Sequence, residues 1–128
     1  MKTHTHKSEW SNGSGPPVTT AIQRTGGMEM NISEAIVASA TNQLFTIAFA
    51  HEKLKMVYLK CDVDLVIKTN SSSEPTDTIN LTAGEELFWH DGMPDGSCPF
   101  TDDVTALYLT EANALDGNLV GGILTDPT

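Results

Sequence analysis

No stretch of this sequence is long and apolar enough to cross a membrane as a helix, a task that needs about 18 consecutive apolar residues. The opening Met1-Lys2-Thr3-His4-Thr5-His6-Lys7 has no apolar segment behind it, which argues against a secretory leader. Aromatic residues make up only 6% of the chain, so any core must be built mainly from aliphatic side chains. With only two cysteines and no export signal, Cys61 and Cys98 read as free thiols rather than a disulfide. Basic residues are also scarce: 7 Lys and Arg stand against 17 Asp and Glu, a net charge of −10. That balance argues against the phosphate-neutralising surface of a nucleic-acid binder.

The shortage of bases is uneven. Every Lys and Arg lies in the first 68 residues, beside six acids, whereas the remainder holds eleven acids and no base. Such an asymmetry predicts a polarised surface, either a solvated acidic face or one that meets a basic neighbour.

Catalytic signatures are missing too. The sequence contains no G-x-S-x-G, no phosphate-binding loop, no G-x-G-x-x-G and no H-E-x-x-H. His4 and His6 form an H-x-H pair with no third ligand nearby. His90 and Cys98 flank the loop HDGMPDGSC, but the second ligand pair of a structural zinc site is absent. Asp91, Asp95, Asp102 and Asp103 offer oxygens for calcium without the alternating spacing of an EF-hand. The stretch 90–103 is therefore read as a turn-rich loop, and no catalytic residue, cofactor or metal ligand is assigned.

What remains is a chain of 128 residues, 39% of them hydrophobic, enough for one core in one domain. Residues 1–20 read as an extended arm, since Ser8 to Pro17 is polar and turn-rich with Trp10 its one large apolar side chain. Trp10, with Pro16 and Pro17, is the candidate partner-binding element, an isolated Trp being a natural anchor for another protein's pocket.

From residue 21 onward, strands and turns alternate. Cys61 to Thr69 is the clearest strand, with Val63, Leu65 and Ile67 set against Asp62, Asp64, Val66 and Lys68. Phe45, Ile47 and Phe49 alternate in the same manner. Further strands are predicted at Val18–Arg24, Ile36–Ser39, Met56–Lys60, Thr78–Leu81, Glu86–Trp89, Val104–Thr110 and Leu119–Leu124, with a helical turn at His51–Lys55. Turn residues separate them, among them Gly26-Gly27, Asn70 to Pro75, Ala83-Gly84, Asp91-Gly92 and Asp116-Gly117. Val104, Leu107 and Leu109 break the alternation, which predicts a bulge or a strand buried on both faces. The fold class is all-β: a single β-sandwich over 21–128, the jelly roll among its candidate topologies, preceded by the arm.

The second half carries a resemblance. Thr69 to Pro75 leads into Thr78-Ile79-Asn80-Leu81 and Ala83-Gly84-Glu85-Glu86-Leu87-Phe88-Trp89, then Cys98-Pro99-Phe100, Asp103 to Leu109 and Ile123-Leu124-Thr125-Asp126. This resembles the small β-sandwich virion proteins of tailed bacteriophages, of the capsid decoration or cement kind. It covers residues 20–126 in layout and 69–126 in its specific part. The resemblance implies a structural protein of the virion, made in the host cytoplasm and placed on the capsid surface in many copies. Its implied partners are the major capsid protein and further copies of itself, a threefold cluster being the implied closed form, with neither nucleic acid nor membrane. The alternative is a tail, neck or fibre module that binds a host glycan or another virion protein. Its candidate aromatic platform would come from Trp10, Tyr58, Trp89, Phe100 and Tyr108.

Overall fold

Alternation of apolar and polar residues sets the strands. In β6 (Leu65–Thr69) the side chains of Leu65, Ile67 and Thr69 are buried while Val66 and Lys68 are half-buried. The same two-residue period runs through β7 (Thr78–Leu81) and β9 (Leu107–Thr110), and through β5 (Leu54–Cys61) except where Met56 and Val57 are both buried. The computed structural model describes residues 2–10, 13 and 18–126, with the side chains of Lys2, Trp10 and Val18 left aside. The other strands are β1 (Lys2–Trp10), β2 (Val18–Gly26), β3 (Met28–Ile36), β4 (Gln43–Phe45), β8 (Glu86–His90) and β10 (Gly117–Thr125). A short 3₁₀ turn at His51–Lys53 sits where a helical turn was expected.

Eight of these strands form two four-stranded sheets, ordered β3-β10-β5-β8 and β4-β9-β6-β7. The antiparallel pairing is nested: β3 with β10, β4 with β9, β5 with β8 and β6 with β7. The chain therefore folds as one long hairpin rolled up on itself, closed by the contacts β10 to β5 and β9 to β6. This is the strand order of a jelly roll. Between the sheets lies an aliphatic core that includes Val57, Leu59, Ile67, Leu107, Leu109, Leu119 and Ile123. Phe100 is fully buried there and meets Phe49 edge-on at 5.1 Å.

Loop chemistry locks the ends of the roll. Asn70, at φ 68°, donates to the Asp103 carbonyl and accepts from the Thr105 amide, both at 2.8 Å. The Asp77 carboxylate takes the amide and hydroxyl of Thr101. At the other end Glu111 is buried and accepts the amides of Ser39, Asn113 and Leu115. These N–H groups, that of Ser39 foremost, hold its carboxyl below the ordinary value against the opposing effect of burial.

Several boundaries move relative to the sequence expectation. The stretch Cys61 to Thr69 is not one strand: Cys61 ends β5 and Leu65 begins β6. Asp62 and Asp64 turn outward and accept the amides of Asn118 and Ala83, so alternation continues through a turn. Val104 stands apart from β9 and makes a single bridge to Phe49. The strand expected at Ile36–Ser39 instead spans Met28–Ile36, and a turn closed from Ala40 to Val37 follows it. Residues 2–10 are extended, but they pair with β2 in register from Lys2↔Gly26 to Trp10↔Val18. The arm thus takes the form of a hairpin, and the division drawn at residue 20 falls inside its second strand.

Candidate functional site: the hairpin and the cleft beneath it

A sheet with one wet face should not bury side chains on both sides, yet the sheet containing β5 does. Met56 and Leu124 are 5% and 2% exposed and cross-strand neighbours, but neither belongs to the core between the sheets. They lie on the outer face, and the β1–β2 hairpin covers them. Gly26 allows the close approach: a Cβ there would sit 2.6 Å from the Thr125 carbonyl oxygen and 2.9 Å from Leu124. Covering these two side chains stabilises the hairpin's seat by roughly 1.5–3 kcal/mol each.

Polar anchors hold the hairpin along its inward face. Nε2 of His4 lies 3.4 Å from Glu29, and Nε2 of His6 lies 3.8 Å from Glu86. The His6 ring stacks on Phe88 with centroids 3.8 Å apart. Arg24, opposite His4 in the hairpin, donates to the carboxylate of Asp91 and at 2.9 Å to its carbonyl. Lys55 joins from the sheet, bridging Asp91 at 3.4 Å and Asp126 at 3.2 Å. Partial burial opposes ionisation of Asp91, but Arg24 and Lys55 outweigh it and keep the carboxyl below its ordinary value.

Between these anchors the hairpin and sheet leave a half-open cleft of about 430 Å³. Its walls include His4, His6, Tyr58, Phe88 and Asn31, and Gly122 lies between the positions of Asn31 and Tyr58 in the sheet. A Cβ on Gly122 would meet nothing closer than 3.7 Å, so the missing side chain is part of the space. The cleft is of the size of a small-ligand site, chiefly apolar with a few polar groups at its margin. Burial, with a smaller push from Glu86, raises the Tyr58 hydroxyl above its ordinary value, so it stays a neutral donor or acceptor.

The structure separates most of the residues singled out from sequence. Trp10 has only its backbone placed, opposite Val18 at the far end of the hairpin, and Pro16 and Pro17 lie outside the described residues. His4 and His6 share a face but go to different glutamates. In the 90–103 loop Asp91 turns to Arg24, while Asp103 accepts the His51 amide. Among the described residues no three His, Cys, Asp or Glu converge as a metal site. Cys61 and Cys98 are free, and burial raises both thiols above their ordinary value. Of the aromatic candidates, Phe100 and Trp89 pack in or against the core, and Tyr58 reaches the cleft.

Sequence reasoning missed Met56, Phe88 and Leu124. The available signal was adjacency: Met56-Val57, Leu87-Phe88-Trp89 and Ile123-Leu124 place consecutive apolar residues in strands, the mark of a sheet covered on both faces. No family model matches the chain, and neither does any curated protein or solved structure.

Proposed function

We propose that this chain is a structural virion protein that decorates and stabilises a phage capsid shell in many copies, its body fixing position and its hairpin reaching a neighbouring subunit. The observation that carries the proposal is the hairpin's far end. Lys7, Ser8, Glu9, Thr19 and Thr20 are exposed beyond the anchoring histidines. Trp10, the anchor proposed from the sequence, is the last residue of β1 at that end. A single residue, Gly27, joins the hairpin to β3, so body and hairpin can bear on different surfaces. The jelly roll is also an architecture used in viral capsids, a likeness of fold that supports the reading by analogy alone.

Quantitative mass spectrometry of purified particles tests it, by counting this chain against the major capsid protein. Hundreds of copies in a simple ratio to the capsid subunit are expected. A few to a few tens would move the protein to the neck, tail or fibres, and absence from particles would sink the reading.

A second reading has its own observation, the cleft with Tyr58 and Phe88 on its wall. Jelly rolls also serve as lectin domains, and a neutral sugar could lie against the Tyr58 ring beside the stacked His6 and Phe88. Thermal stabilisation by neutral oligosaccharides, lost in Tyr58→Ala with the fold intact, would favour this reading; no response to any of them would count against it.

A further inference from the structure

Four strands border the two sheets, and they are unequal. β4, β7 and β8 are 3, 4 and 5 residues long, whereas β3 has 9. Long open edges are a hazard that proteins blunt with Lys, Pro, bulges or a cover. The β3 sequence MEMNISEAI contains no Lys and no Pro, and its register with β10 runs unbroken from Met28 to Ile36.

One end of this edge is capped by a side chain acting as a strand. The Gln43 amide donates to the Ala35 carbonyl at 2.8 Å and accepts from the Val37 amide at 3.3 Å. The backbone groups of Ala35 and Val37 therefore point away from β10. By the two-residue period, those of Ser33, Asn31 and Glu29 point the same way. Among the described residues no hydrogen bond reaches them from outside.

We infer that this edge binds a second copy of the chain, two β3 strands pairing antiparallel about a twofold axis through Asn31. In that register Asn31 faces Asn31, Glu29 faces Ser33, Met30 faces Ile32 and Met28 faces Glu34. The free groups of Glu29, Asn31 and Ser33 are all used, giving about six backbone hydrogen bonds. No glutamate lies opposite a glutamate, and the Gln43 cap stays in place. Moving the axis to Ile32 would pair Glu29 with Ala35, whose carbonyl Gln43 already holds. The match of the segment with itself is what selects a second copy, since an isologous contact needs one self-complementary patch. The product is a continuous eight-stranded sheet with both hairpins on one face. This inference stands apart from the capsid proposal and survives its failure.

Sedimentation of the full chain over a wide concentration range tests it. The wild type should rise from 13.8 kDa toward twice that mass. Asn31→Pro should remain monomeric with unchanged circular dichroism and melting temperature, because the Asn31 amide points away from β10 and proline there costs no internal bond. A wild type that stays monomeric, a trimer, or a folded Asn31→Pro chain that associates as before would overturn the inference. If Asn31→Pro fails to fold, Asn31→Cys in a Cys98→Ser background decides. Paired Cα atoms about 5.5 Å apart should oxidise to a linked dimer. A cysteine at exposed Ala112 should not, and equal linkage at both sites would overturn the register.

Discussion

The two apolar layers of this molecule are built differently. Between the sheets, side chains from all eight strands pack together with Phe100, aliphatic in every strand but β4, which contributes Phe45, and backbone ladders hold every wall in place. Between the outer sheet face and the hairpin, two buried side chains do the packing, while the Arg24–Asp91 ion pair, the His4–Glu29 contact and a stacked histidine supply the rest. Among the described residues neither strand of the hairpin pairs by a backbone ladder with either sheet. The first layer defines the fold; the second can open without unfolding it, because local opening costs only the contacts it breaks.

The largest expected effect comes from breaking the inner layer. Phe100→Ala should cost about 3–5 kcal/mol by chemical denaturation, since a fully enclosed ring leaves a cavity that ladders on both sides cannot collapse. Leu124→Ala strikes the outer layer and should cost less, roughly 2 kcal/mol, because a hairpin held on one side can settle into the gap. Equal losses at the two sites would erase the distinction.

Glu111→Gln probes the loops that close the roll and should lower the melting temperature by a few degrees. Its carboxyl is depressed in the folded state, so the stability it contributes is present above its unfolded value and disappears as pH falls through the folded one. The gap between wild type and variant should therefore be widest near neutral pH and narrow in acid. A gap that widens on acidification would refute the assignment.

Gly26→Ala sharpens the comparison most directly. The new methyl meets the Thr125 carbonyl, so amide exchange in β1 and β2 should accelerate while exchange in β6 and β9 stays as it was. The smallest effect belongs to Asp91→Asn, which loosens the Arg24 and Lys55 contacts at a partly exposed site. Its cost should stay within about 1 kcal/mol and shrink with added salt.

The sequence made the inner layer legible and the outer one obscure. Strands such as Thr78–Leu81 appear at their predicted limits because each alternates cleanly between core and solvent. β3 was misplaced because Glu34 interrupts the alternation of Met28, Met30 and Ile32 before Ile36. Alternation also ran on through Asp62 and Asp64, whose side chains cap turns instead of facing solvent from a strand. β1 falls within the stretch 1–20 that reads as an arm, because Ser8 to Pro17 is polar and turn-rich and His4, Thr5 and His6 carry no apolar period; the seat of those histidines depends on Phe88 and on glutamates distant in sequence. Periodicity reports a strand's own two faces and is blind to what will lie upon them.

The nested pairing has a consequence for how the protein is made. β10 lies between β3 and β5, so the sheet that carries the hairpin lacks an inner member until residues 117–125 have left the ribosome. Until then β3 and β5 present unsatisfied edges to solvent, and the hairpin's seat on Leu124 does not exist. With pairing so dominated by distant partners, folding should be slow, and the chain most exposed to aggregation while β10 is still unpaired.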